Sequence, residues 1–178
     1  MSKNLSSKEG QWFLKKLTTT QKEIASSLGA KIAVVDAQGQ LVTDPSYSTD
    51  GLDKLIFSDK ADFGFDIKNL FETQEDSYFQ EKEGLLVSFW IPIKKDGQIV
   101  GAVVGAGSVY DFADSGQKLK QHFLTIHDEK GLEIEEDKFL QKVDLAPKVS
   151  KLDIIKKGGE LAELTSNLIK ETDLKKAF

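Results

Sequence analysis

At 178 residues, with 39% hydrophobic and 30% charged side chains, the chain has room for one domain with a proper core and little more. No apolar run approaches the roughly 20 residues that cross a bilayer, and the absence of cysteine excludes disulfides, thiolate metal sites and cysteine nucleophiles. All 24 basic residues are lysine and the net charge is −5, so neither an arginine fork nor a basic stripe is available and no nucleic-acid partner is expected.

The first residues, MSKNLSSKEGQWF, hold no apolar stretch behind their lysines, which predicts the absence of a secretory leader and a cytoplasmic location without membrane insertion. Residues 6–28 place Phe13, Leu17, Ile24 and Leu28 at helical spacing, with Ser6 and Glu9 as a capping-box pair, and Gly29 stops the helix. Lys31 to Val35 reads as a short strand, Asp36-Ala37-Gln38-Gly39 as a turn, and Gln40 to Thr43 as the return strand. Residues 44–83 are rich in aromatics and interrupted by Pro45, Gly51 and Gly64, with short helices expected at about 51–58 and 66–74. Phe57, Phe63, Phe65, Phe71, Tyr78 and Phe79 either fill a core against a central sheet or wall a pocket over it.

Residues 85–110 read as one long hairpin turning at Asp96-Gly97, which supplies the positive φ of a two-residue turn. With Lys95 opposite Gln98 and a regular ladder, Val87, Phe89, Ile91 and Ile93 share a core face with Val100, Ala102, Val104 and Ala106. The other face then sets Ser88, Trp90 and Pro92 beside Ile99, Gly101, Val103, Gly105 and Gly107. Glycines around one tryptophan suit either a closely packed helix or the floor of a ligand pocket, and a three-residue loop with a bulge would swap the faces of one strand. Asp111 to Ser115 is a polar break, 116–126 a helix or a helix followed by a strand, and 133–142 a helix in an acidic stretch. Ser150 opens the last helix, with Asp153 at its third position and an apolar stripe of Ile154, Ile155, Leu161, Leu164, Leu168 and Ile169. Gly158-Gly159 weakens its middle, and the stripe packs on the sheet or pairs with a second copy.

Taken in order, AKIAVVDAQGQLVTDPS (Ala30 to Ser46), FWIPIKKDGQIVGAVVGAG (Phe89 to Gly107) and KVDLAPKVS (Lys142 to Ser150) resemble the PocR-type sensory domain, a PAS-like ligand-binding module, over about residues 12–170. The resemblance implies an α+β fold in which helices, including N- and C-terminal ones, cover a central antiparallel sheet. It also implies a pocket for a small organic molecule, and no catalysis. The chain departs from the family in lacking the cysteines common before the long hairpin, where Tyr78 to Gly84 reads YFQEKEG. The end of the second strand, Gly105-Ala106-Gly107-Ser108, is altered as well, and no attached output domain is expected.

Other chemistry finds little support. His122 and His127 are five apart, off a common helical face and without metal-ligand spacing. The acidic residues lack a calcium-loop pattern, Gly101, Gly105 and Gly107 lie in a strand and not in a phosphate loop, and no nucleophile elbow is present. The expectation is a single non-enzymatic sensory domain without a cofactor that binds a small, fairly apolar molecule and signals through a homodimer or a protein partner. Phe57, Phe65, Phe79 and Trp90 would wall the pocket, Gly105 would open its floor, and Tyr47, Tyr78, Ser88 and Ser108 would supply hydrogen bonds. The alternatives are a ligand-free interaction or dimerisation module and, third, a haem sensor using His122 or His127.

Overall fold

The computed structural model describes residues 8–49, 51–82, 86–111 and 115–171. In chain order these form α1 (Lys8–Leu28), β1 (Lys31–Asp36), α2 (Leu52–Ile56), α3 (Ile67–Thr73), β2 (Tyr78–Lys82), β3 (Leu86–Lys95), β4 (Gln98–Tyr110), α4 (Ser115–Gln121), α5 (Phe123–Lys130), α6 (Glu136–Leu145), β5 (Lys148–Val149) and α7 (Lys151–Glu171). The sheet runs β1-β4-β3-β2 with every neighbour antiparallel, and the two-residue β5 joins the end of β4 in parallel. The fold is α+β, a PAS-like sheet between helices. Among the described residues no helix is long and apolar enough to cross a membrane.

Two hydrophobic layers sandwich the sheet. One joins Phe13, Leu17 and Ile24 of α1 and Ile154, Leu161 and Leu168 of α7 to Ile32, Val34, Phe89, Ile91 and Val103. The other joins Leu52, Phe57, Phe63, Leu70, Phe123 and Phe139 to Ala33, Val35, Trp90, Ala102 and Val104. The stripe of α7 therefore packs on the sheet, although Ile155, assigned to it by spacing, is 44% exposed. Ser150 and Asp153 cap α7 reciprocally: the Asp153 N–H donates to Ser150 Oγ at 3.2 Å and the Ser150 N–H to Asp153 Oδ2 at 2.8 Å. The Ser6 capping residue lies outside the described residues.

The hairpin turns at Asp96 (φ 51°) and Gly97 (φ 79°) as expected, but the regular pairing behind it does not hold. Lys95 opposes Gln98 and Lys94 opposes Ile99, then Ile93 opposes Gly101, leaving Val100 as an extra residue. From Gly101 to Ala106 the β4 side chains change face relative to the regular pairing: Trp90 opposes Val104, and Phe89 opposes Gly105. A second irregularity at Gly107 (φ 94°) brings Ser108 opposite Val87. Gly101 and Gly105 thus lie on the face opposite the tryptophan, while Gly107 faces Asp53 and Phe57 on the Trp90 side. A Cβ on Gly105 would fall within the Phe89 ring, and one on Gly158 of α7 would overlap the Ile91 side chain, so these two glycines admit a ring and a helix.

Four smaller expectations change. The return segment after β1 forms only isolated bridges, Val35 with Leu41 and Ile32 with Ser46, because the Thr43 hydroxyl takes the Val34 N–H at 2.9 Å. Buried Gln21 of α1 holds that segment by accepting from Thr43 Oγ1 and donating to the Asp44 carbonyl and Ser46 Oγ. Tyr78–Lys82, whose Gln-Glu-Lys polarity gives no strand signal, forms the edge strand β2, where charge is favourable because it discourages further pairing. Residues 115–130 form two helices and no strand, and α6 begins at Glu136 because Glu135 is extended.

Gly105→Ala is expected to cost at least 1–3 kcal/mol by forcing Phe89 from its seat, whereas Gly159→Ala, which meets no neighbour, should gain up to about 1 kcal/mol of helix propensity. Urea denaturation of the two variants should shift the midpoint in opposite directions.

Candidate functional site

Two cross-strand rows form the middle of the Trp90 face. Lys31, Ala106, Ser88 and Gln80 align across the four strands, and Ala33, Val104, Trp90 and Tyr78 form the next row. Residues 57–73 cover both rows. Phe57 and Phe63 are buried, and Gly64 (φ 81°) passes so close over Ser88 that a Cβ there would lie 2.9 Å from Ser88 Oγ. Phe65 meets the Tyr78 ring edge-on at 6.1 Å, and Phe71 of α3 meets Trp90 edge-on at 5.3 Å. Trp90 is fully buried, and among the described residues its Nε1–H has no acceptor. An unpaired buried donor costs on the order of 1–3 kcal/mol.

At the β1 end of the same face stands a buried charge. Lys31 begins β1 with no exposed surface, and its Nζ donates to the carbonyls of Asp59 at 2.5 Å and Asp62 at 2.7 Å. The amine also lies 4.0 Å over the Phe63 ring. Burial lowers its pKa from 10.5 to about 8, with Asp62, Asp59 and Asp53 acting in the opposite sense. Burial also acts to raise the Asp62 carboxyl, but the Lys130 Nζ at 2.9 Å, the Gly64 N–H and Lys31 together hold it below the ordinary carboxylate value. Asp53 of α2 is buried against Gly107, accepts the Ser48 N–H at 2.9 Å and the Ser48 hydroxyl, and has its pKa raised by burial. The Tyr47 hydroxyl donates toward the Phe57 and Ser58 carbonyls at 3.3 Å, and burial followed by Asp53 and Asp59 raises its pKa.

The nine residues predicted to bind a ligand do not converge. Phe57, Phe65, Tyr78, Ser88 and Trp90 gather on the face just described, with Tyr47 at its Lys31 end. Phe79 points to the opposite layer because it neighbours Tyr78 in a strand, where side chains alternate. Gly105 lies under Phe89, and Ser108, turned by the second bulge, donates to the Leu28 carbonyl at 2.9 Å. His127 contacts Asp128 and the Phe123 ring, and among the described residues no cluster of three His, Cys, Asp or Glu side chains is suited to a metal. Two surface grooves of about 570 and 440 Å³ lie off this face, and of the nine only Tyr47 lines one.

Sequence reasoning passed over Lys31, Asp53 and Asp62. Lys31 was detectable, because strand alternation sets it on the same face as Ala33 and Val35, inside an otherwise apolar run. Nothing local marks Asp53 or Asp62 among the many acidic residues of this segment. Comparison of the chain with family models, curated proteins and solved structures gives no match.

Between pH 8 and 10.5 the unfolded chain holds the Lys31 proton more tightly than the folded one, so stability should rise with pH in this window, by about 1.4 kcal/mol per pH unit and about 3 kcal/mol in all. Chemical denaturation at successive pH values measures it. Lys31→Met should remove the rise and be at least as stable as the native chain at pH 7, since an apolar side chain replaces a buried ammonium.

Proposed function

We propose that this chain is a PocR-type, PAS-like sensory domain that works without catalysis, binding a small and largely apolar organic molecule on the Trp90 face. The observation that carries the reading is the buried Trp90 Nε1–H, with no acceptor among the described residues. Buried donors are nearly always paired, and the exceptions call for an explanation such as an unfilled ligand contact. Ser88 lies two residues away on the same strand face, so a ligand carrying two carbonyl or hydroxyl groups finds two donors about 7 Å apart along the strand, between the aromatic walls of Phe57, Phe65, Phe71 and Tyr78. The cover above them is light: of the seven residues of α3 only Leu70 is buried. Entry requires Phe71 to leave Trp90, and this converts binding into displacement of α3, the kind of change a sensor passes to a partner.

The test uses Trp12→Phe, which leaves Trp90 as the sole tryptophan, and a panel of short diols, organic acids and aromatic metabolites. A ligand should shift the Trp90 indole N–H resonance and emission and raise the melting temperature, with about 2.7 kcal/mol of stabilisation at a hundred times Kd. Ser88→Ala should weaken it by about 1 kcal/mol. A panel without effect on the indole resonance counts against the reading.

A second reading, a ligand-free interaction module, rests on Leu152, 77% exposed near the start of α7 with Ile155 beside it. It predicts a dimer in sedimentation that dissociates in Leu152→Glu, with no compound acting on Trp90.

A further inference from the structure

The cover of the Trp90 face is one continuous run with a distinct point of attachment. Residues 59–62 give two carbonyls to Lys31, Gly64 crosses Ser88, Phe65 meets Tyr78, and Asp66 caps α3, which brings Phe71 onto Trp90. We propose that residues 59–73 open as a strap off Ser88 and Trp90, that the Lys31 amine on the carbonyls of Asp59 and Asp62 is its latch, and that protonation of Lys31 favours the open state.

The direction follows from counting donors. A neutral amine has two N–H groups, and the closed strap offers two carbonyls, so every donor of the uncharged latch is matched. The ammonium has a third N–H and a full charge. In the closed state its surroundings are the Phe63 ring and, further out, Tyr47 of the segment after β1, Asp53 of α2, Asp59 and Asp62 of the strap and Lys130 of α5. Opening the strap gives that charge back to water. The lowered affinity of closed Lys31 for its proton agrees with this ordering. Asp53 is held by Ser48, outside the strap, and keeps its partners when the strap lifts. Lys130 is held by Asp62 and loses that bond, which resists opening at every pH where Asp62 is ionised.

The inference deepens the sensor reading, on which it rests for its purpose: the latch regulates access to the ligand face. Hydrogen exchange of the full chain from pH 6 to 10, corrected for the intrinsic base-catalysed rate, tests it at the Gly64 and Gln74 amides and the Trp90 indole. Their protection should lie below that of the β3–β4 ladder amides, stay level below pH 8, and rise by up to tenfold per pH unit above it. Lys31→Met should remove the rise. In the native chain, which needs no variant to fold, the Lys31 ε-methylene resonance should titrate at the pH where the rise begins. Strap and ladder protection equal at every pH, a rise retained in Lys31→Met, or a Lys31 titration that does not coincide with the rise each overturns the latch. The two readings fail separately: a pH-dependent strap with no compound acting on Trp90 sinks the ligand and keeps the latch, and a ligand with a pH-independent strap does the reverse.

Discussion

Side chains in a strand alternate with a period of two, so the single extra residue at Val100 decides which face of β4 meets which helices. Everything around the sheet depends on it. With Val100 bulged, Gly101 and Gly105 join Phe89 and Ile91 beneath α7, and Ala102, Val104 and Ala106 join Trp90 beneath the 57–73 segment. Without it, Gly105 would lie beside Trp90 and Val104 would take the place now open to the Phe89 ring. The second extra residue, Gly107, then returns Ser108 to the α1 side, where its hydroxyl meets the Leu28 carbonyl. Two bulges in one strand thus give the sheet a tightly fitted face and a face of small side chains under aromatic cover.

The two faces differ in what they ask of their covers. On the α1 and α7 side the contacts are apolar and close, and the glycines remove the atoms that would hold the layers apart. On the other side an apolar layer contains, beside Ser88 and Asp53, two polar groups in different states: Lys31, satisfied by two carbonyls, and Trp90 Nε1, which finds no acceptor among the described residues. A buried amine is tolerated when it can shed its charge, and a buried indole N–H only when packing outweighs the lost hydrogen bond. The Phe71 contact on Trp90 is part of that packing, and it comes from a helix with one buried residue. The less satisfied polar atom therefore lies beneath the lighter cover.

The long periodic elements were legible in the sequence: α1, α7, β1 and the hairpin each have a pattern strong enough to outweigh local noise. The face assignment was not, because a bulge is one residue whose cause lies in the packing of both faces, while the Asp-Gly turn that sets the starting register is identical with or without it. That one misplaced residue moved Gly105 away from the Trp90 face, whereas Ser108 stays on the α1 side because the two bulges cancel there. Phe79 was grouped with Tyr78 only because β2 was missed. A strand reading of residues 78–82 would have placed the two aromatics on opposite faces at once. Lys31 shows the reverse case: the alternation of residues 31–35 sets it on the same face as Ala33 and Val35, yet it reads as one more member of a short apolar strand.

The position of Lys31 also bears on how a change on one face is felt on the other. It begins β1 two residues after α1 ends, the intervening Gly29 holds a left-handed turn (φ 58°), and the Ala30 N–H is bonded to Ala25 of α1. Pro147, next to β5, closes on Gly29 so tightly that a Cβ there would lie 2.8 Å from the ring. The Leu28 carbonyl is fixed to Ser108 and Gln21 to Thr43 and Ser46. A displacement of Lys31 therefore cannot be absorbed by a flexible linker, since the linker has two residues and both are held. Its first mechanical neighbour is the C-terminal end of α1, and α1 rests on α7. The terminal helices cover the sheet face opposite Trp90, and this short, pinned junction is the shortest covalent connection between that cover and the face where the strap lies.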